Sequence, residues 1–288
     1  MASIHEQRNP ENQARQSTAQ FYNKDIIDDI TPARRILEQY SGIPPEQVVP
    51  HIHAIRAKAW QIFPYPCIGR FRFLDLSISR APLYPTIIRR LQSGDTFLDM
   101  GCCFGQDIRS LVMDGAQPDS LSGTDLIHEY LDLGYELFQD RDTLKAHFFA
   151  ADALDEESVP LKELEGKIDI IHAASFLHLF GWDDQVALGI RMVRILKPKA
   201  GSLVLGRHMA NTNEQELALK DSPKGIVFMH NNKSFQRMWT EIARKTGAKL
   251  QVNVKLGSPQ DWGKVAGKDK LLHDPDVRTM RFEIHRLE

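Results

Sequence analysis

The sequence predicts an α/β fold: a seven-stranded, mostly parallel sheet with helices on both faces, an antiparallel C-terminal edge strand, and a helical segment ahead of the sheet. Three observations carry this expectation. From Asp95 onward, short β-branched and apolar runs alternate with helix-period segments, the pattern of strands joined by crossover helices. The last two runs follow one another without a helix between them, which suggests an antiparallel edge. The 288 residues, 42% hydrophobic and 26% charged, suffice for a core that needs no staples.

Taken in order, residues 1–25 are polar and read as an arm. From Asp25 to about Trp60 the pattern is helical, interrupted by Pro44-Pro45 and Pro50. Residues 63–74 (FPYPCIGRFRFL) hold two prolines, a glycine and four aromatics, which forbid a regular helix and demand burial or a ligand. This loop either covers a pocket or is pinned to its own core. Residues 26–94 are therefore expected as a helical lid segment and 95–288 as the ligand-binding domain. Strands are expected at 96–100, 121–124, 146–150, 168–172, 202–206, 250–254 and 280–285, and the clearest helices at 106–113, 128–138, 183–196 and 233–246. Residues 206–231 and 257–276 read as long polar connections.

Composition excludes several classes. A formal charge of -2 gives no electrostatic case for nucleic acid or an anionic membrane. Three cysteines without C-x-x-C spacing argue against structural zinc and a secreted disulfide scaffold, and no metal site is expected. No run of about 18 apolar residues is present, and the first residues lack a signal-peptide core. A cytoplasmic location is the expectation.

In open parallel sheets, ligands sit outside the carboxyl ends of the strands. The first such end is Asp99-Met100-Gly101-Cys102-Cys103-Phe104-Gly105. Cys103 and Gln106 stand where the dinucleotide fingerprint needs glycines, so the pyrophosphate cradle is missing. An acid two residues before Gly101 disfavours an anion and favours an ammonium or sulfonium, both of which S-adenosylmethionine carries. The bare Gly101, with Cys102 beside it, would let the backbone approach the methionyl part.

The second strand ends in Thr124-Asp125-Leu126, where a carboxylate can accept both ribose hydroxyls and the leucine can pack on adenine. Asp125 could equally be a helix cap. The third end offers Asp152 for the adenine amine and the Ala153 amide for a ring nitrogen, again with a turn or cap as the plain alternative. Three consecutive strand ends, each bearing an acid, are hard to obtain by chance. Below the fourth strand, the small residues Ala173-Ala174-Ser175 would let the cofactor lie close, and His178 could face the acceptor. A core histidine is the commoner reading. Asp169 begins its strand and is read as structural, and Lys197-Pro198-Lys199 as a plain turn.

With these residues the chain resembles a class I S-adenosylmethionine-dependent methyltransferase over about Asp95 to Arg286, which implies a Rossmann-like sheet. It is more closely similar to the fungal methyltransferases that act on meroterpenoids (polyketide–terpenoid hybrids). The motifs are Tyr65-Pro66-Cys67-Ile68-Gly69-Arg70-Phe71-Arg72-Phe73-Leu74, Ala173 to Phe180, and Gly206-Arg207. The departure is Cys103, where many class I members carry glycine. The resemblance implies methyl transfer to oxygen, often a carboxylate, and a homodimer.

Two acceptor chemistries stay open. A carboxylate is already ionised at neutral pH and needs no general base, whereas a phenol with a pKa near 10 does. His172, His178, His208 and His230 are the candidate bases, and Tyr65 and Phe73 are expected to line the acceptor pocket. A cofactor-binding partner subunit without catalysis is the alternative of a different class. An NAD-dependent oxidoreductase is disfavoured by the missing glycines and by Asp99. Base methylation is disfavoured by the lack of a basic stripe and of an Asp/Asn-Pro-Pro-Tyr motif.

Overall fold

The computed structural model describes residues 21–218, 225–258 and 274–288. Residues 1–20 of the expected arm and most of the 257–276 connection lie outside this description. Asp29 opens the first helix, α1 (Thr31–Arg35), because its Oδ1 accepts from the Thr31 amide at 2.9 Å and the Thr31 hydroxyl at 2.6 Å. A wider turn, Ile36–Tyr40, closes it. Pro45 then starts α2 (Pro45–Ile62), where its missing N–H costs nothing. Pro50 does not interrupt this helix, contrary to the sequence expectation. It forgoes the one bond its amide would give residue 46, while Val48, Ile52, Ile55 and Ala59 stay buried on one stripe.

The aromatic segment holds a single helical turn, α3 (Pro66–Gly69), then Phe71 in the left-handed region at φ 59° and a 3₁₀ turn at Arg72–Leu74. Arg56 anchors it from α2: Nη1 donates to Asn23 O at 2.7 Å, and the guanidinium lies 4.3 Å from the Phe71 ring centroid. The helix α4 (Tyr84–Gln92) leads into the sheet domain.

There the order is β1 (Phe97–Met100), α5 (Gln106–Met113), β2 (Leu121–Asp125), α6 (His128–Phe138), β3 (His147–Ala150), α7 (Val159–Glu163), β4 (Ile170–His172), α8 (Trp182–Ile195) and β5 (Leu203–Asn211). It continues with β6 (Gln215–Ala218), β7 (Ile226–Met229), α9 (Asn232–Thr246), β8 (Leu250–Leu256) and β9 (Val277–Arg286). The main sheet has seven strands in the order β3-β2-β1-β4-β5-β9-β8. The antiparallel strand β9 lies on the expected side of the sheet, one place in from the margin, between β5 and β8. β6 and β7 form a separate two-stranded sheet within a stretch expected as connection alone.

Strand alternation divides the core. Leu98 and Met100 face α8 and α9, with Met192, Met238 and Trp239. Phe97 and Ile170 face α4 and α5, with Leu91, Ile108 and Leu111. The N-terminal helices share a third cluster with α6 and Phe104, including Ile52, Phe73, Leu133 and Leu137. This cluster holds the aromatic segment at the carboxyl ends of the strands.

Candidate active site

A cavity of about 430 Å³ crosses the carboxyl ends of five neighbouring strands. Asp152 follows β3, Thr124 and Asp125 end β2, Met100 and Gly101 end β1, Ser175 follows β4, and Met209 lies in β5. The N-terminal segment contributes Asp28, Tyr65, Pro66, Cys67, Arg70 and Arg72. The switch point of the sheet, between β1 and β4, lies under the cavity, where ligands of such sheets bind.

The loop after β1 is a run of left-handed residues, Gly101 (φ 77°), Cys103 (φ 53°) and Gly105 (φ 66°). A Cβ on Gly101 would stand 2.7 Å from the Phe176 ring. Cys103 takes the conformation glycine would take, at a steric cost, and its amide donates to Asp125 Oδ2 at 2.8 Å. Beneath the loop, the buried Arg109 forms a bidentate pair with Asp140, both bonds 2.8 Å, and its Nη1 donates to Phe104 O at 2.7 Å. This clamp holds the loop carbonyls, and sequence reading missed it.

Asp125 is a turn acceptor on the cavity wall and not a helix cap: the cap position of α6 is Ile127, which makes no side-chain cap bond. Asp125 Oδ1 accepts the Ile127 amide at 3.1 Å. Burial pushes its carboxyl up to about 6. Asp152 Oδ1 accepts the Leu154 amide at 2.8 Å. Leu126 is 57% exposed on the cavity wall, a costly place for an apolar side chain. Thr124 Oγ1 is buried and has no partner among the described residues. Acceptors at successive strand ends, a bare backbone and an unpartnered hydroxyl suit a ligand with vicinal hydroxyls and an exocyclic amine.

Four expected contact residues do not line the cavity. Asp99 is 3% exposed, and its Oδ1 accepts from His172 Nδ1 at 2.8 Å. It shares a strand face with Phe97, directed at the sheet interior. Cys102 is buried, and its neighbour Cys103 takes the cavity position. Ala173 is buried under the floor. Phe73, 2% exposed, packs edge-on against Phe104 at 4.9 Å, so it is core whereas Tyr65 is wall.

His172 is equally internal. Nε2 lies 3.1 Å from Ser77 Oγ, which donates to Asp107 Oδ2, also at 3.1 Å. Burial opposes its charge, but Asp99 and Asp107 beside it hold its pKa above the ordinary value. Nδ1 thus faces Asp99 and Nε2 faces Ser77. His208 and His230 are also core: His208 Nε2 lies 3.2 Å from Met280 Sδ, and His230 contacts Ser234 and Gln185. Among the described residues, only His178 of the four candidates lines the cavity. Burial, helped by the Arg207 charge, pulls it down to about 4, so it is neutral at pH 7.

The structure also adds cations. Arg70 and Arg72 stand on the cavity wall, and Asp75 just behind them binds Arg72 at 2.8 Å, Arg80 at 2.7 Å and Arg207. The two arginines flanking Phe71 were the visible signal; an irregular aromatic loop carrying paired cations is a suitable wall for an anion.

Comparison with known proteins follows the same division. Residues 21–74 match the meroterpenoid methyltransferase N-terminal domain, and residues 97–199 match a methyltransferase domain. The chain is 44% identical over 252 residues to the O-methyltransferase phiE of a fungal species, covering 86% of this chain and 84% of that protein. It is 41% identical over 236 residues to the asnovolin E/chermesin D methyltransferase nvfJ of Aspergillus novofumigatus, covering 82% and 84%. Among solved structures, a phosphoethanolamine-type N-methyltransferase of Haemonchus contortus with bound S-adenosylhomocysteine is similar in fold, with a TM-score of 0.55 at 17% identity over 81% of this chain and 61% of that one.

Proposed function

The chain belongs to the S-adenosylmethionine-dependent O-methyltransferases of fungal secondary metabolism, and we propose that it methyl-esterifies a carboxylate of a polyketide–terpenoid intermediate. The cofactor supplies a methyl group on a positively charged sulfur. In this reading Asp125 accepts from the ribose hydroxyls with the lone pairs left by the Cys103 and Ile127 amides. Leu126 covers the adenine, the second oxygen of Asp152 accepts its amine, and the Ala153 amide donates to a ring nitrogen. Gly101 and Thr124 meet the methionyl part. Asp99, through His172, holds the end of β1 from inside, and Ala173 keeps the floor low.

The observation that carries the carboxylate is the state of His178. A histidine held near 4 is a poor base for a phenol near pKa 10, and a carboxylate needs no base. His178 then orients the acceptor oxygen by a hydrogen bond, and in-line positioning does the remaining work. Residues 26–94 act as the lid over this site. The same reading includes a cytoplasmic homodimer, checked by sedimentation of the purified chain. Among the described residues no helix is long and apolar enough to cross a membrane.

The test is to run the reaction with a radiolabelled methyl donor on a terpenoid aryl acid and treat the product with mild base. A carboxyl ester releases labelled methanol, whereas an aryl methyl ether keeps its label. Retained label means the phenol reading replaces this one.

A further inference from the structure

A second cavity of about 210 Å³ adjoins the first, and Asp28, Arg70 and Arg72 line both. In this partition the Arg72 guanidinium is held unequally. Its Nη2 donates to Asp75 Oδ2 at 2.8 Å, a full charge-assisted bond, whereas Nη1 reaches Asp28 Oδ2 at 3.3 Å. Asp75 is a firm anchor. Burial opposes its charge, but Arg207, Arg72 and Arg80 around it keep its carboxyl below the usual range. The Asp28 side chain is 27% exposed, so it can turn to water at little cost. The field of Arg207 also reaches His178, on the wall of the first cavity, so positive potential extends to the acceptor side.

We propose that Arg72 is the specificity-determining residue for the acceptor: it receives the acceptor's anionic group on its Nη1 edge, where Asp28 acts as an internal stand-in that the acceptor displaces. This rests on the carboxylate reading above. Asp75 fixes the plane of the fork, so a carboxylate arriving at Nη1 meets a donor already oriented, and exchange of one carboxylate for another leaves no buried charge unpaired. An uncharged acceptor cannot make the exchange, because it would leave Arg72 desolvated without its partner. The Asp28–Arg72 pair therefore discriminates acid from ester, and the esterified product returns the arginine to Asp28.

The experiment is calorimetric titration of the full chain, saturated with S-adenosylhomocysteine, using 2,4-dihydroxy-3-farnesylbenzoate and its carboxamide as probes. The unaltered protein should bind the acid at least tenfold more tightly than the amide. Arg72→Gln should erase that preference by weakening the acid alone, and Arg72→Lys should restore part of it. Asp28→Asn should bind the acid severalfold more tightly, lowering the acceptor KM with kcat little changed; a merely structural ion pair predicts no gain. Should Arg72→Gln lose S-adenosylhomocysteine as well, Asp28→Asn decides alone, since it keeps the Arg72–Asp75 pair. An acid preference that survives Arg72→Gln, or an Asp28→Asn variant that binds the acid no better, overturns the assignment while the carboxylate reading stands. Equal binding of acid and amide by the unaltered protein overturns both.

Discussion

The two halves of the cavity are built by different means. On the half proposed for the cofactor, each acid is fixed by amides close by in the chain or in the adjoining loop: Asp125 by Ile127 and Cys103, Asp152 by Leu154. On the half proposed for the acceptor, Asp75 holds Arg72 and Arg80 close by in the chain, and the cluster is closed across it, Arg72 to Asp28 over 44 residues and Arg207 to Asp75 over 132. Turn chemistry sets the first half, and docking of the N-terminal segment sets the second. Substitutions should therefore act chiefly on ligand affinity on one half, and mix affinity with stability more strongly on the other.

The largest expected effect breaks that contrast at its joint. Phe73→Ala removes a fully packed ring from the shared cluster and should cost about 3–5 kcal/mol in urea unfolding, whereas Tyr65→Ala on the cavity wall should chiefly raise the acceptor KM. Similar stability losses for both would erase the distinction between core and wall. Next, Asp125→Ala should weaken S-adenosylhomocysteine by about tenfold or more, since hydrogen bonds to a charged group contribute roughly 1.5–3 kcal/mol. It should also lower the melting temperature modestly, because two amides lose their acceptor. A changed melt with unchanged affinity would reduce Asp125 to a turn residue.

The pH dependence of cofactor binding sharpens the same point. Ligand hydroxyls favour the ionised carboxylate of Asp125, and its pKa stands at about 6. Affinity should be flat above neutrality and fall as pH drops through 6, by about tenfold at one unit below the pKa of a ligand-bound group that must ionise. Titrations between pH 5 and 8 that show no fall would assign the ribose to another acceptor. The smallest effect is expected at His178→Gln: turnover should stay within about tenfold, the worth of one neutral hydrogen bond. A thousandfold collapse would restore a general base to the acceptor half.

The fold was legible because strands and helices alternate with clear periods, and the positions of Asp125 and Asp152 at strand-end turns were legible because a turn after a strand is a local event. Asp99 was misplaced for a reason also present in the sequence. In a strand, every second residue shares a face, so Asp99 goes with Phe97 and not with Met100. Its cross-strand neighbour in β4 is His172, which supplies the partner. Phe73 and Tyr65 could not be separated, since an irregular aromatic loop has no period that marks inside from outside. Arg70 and Arg72 were visible as paired cations, but the Asp28 partner of Arg72 was not, because it lies 44 residues away. The Arg109–Asp140 clamp escaped for the same reason, 31 residues apart.

The placement of β9 has a consequence for how the chain is made. Because β9 enters between β5 and β8, the nine-residue strand β5 shows an open row of amides and carbonyls until residues 277–286 have been synthesised. A nascent chain must carry this strand with one edge unpaired while α9 and β8 emerge, although β4 already covers the other edge, and β8 has no neighbour in the sheet to join until β9 arrives. Exposed edges of this kind pair readily with other chains. Yield in a cell should then depend on holdase chaperones more than the stability of the finished sheet suggests.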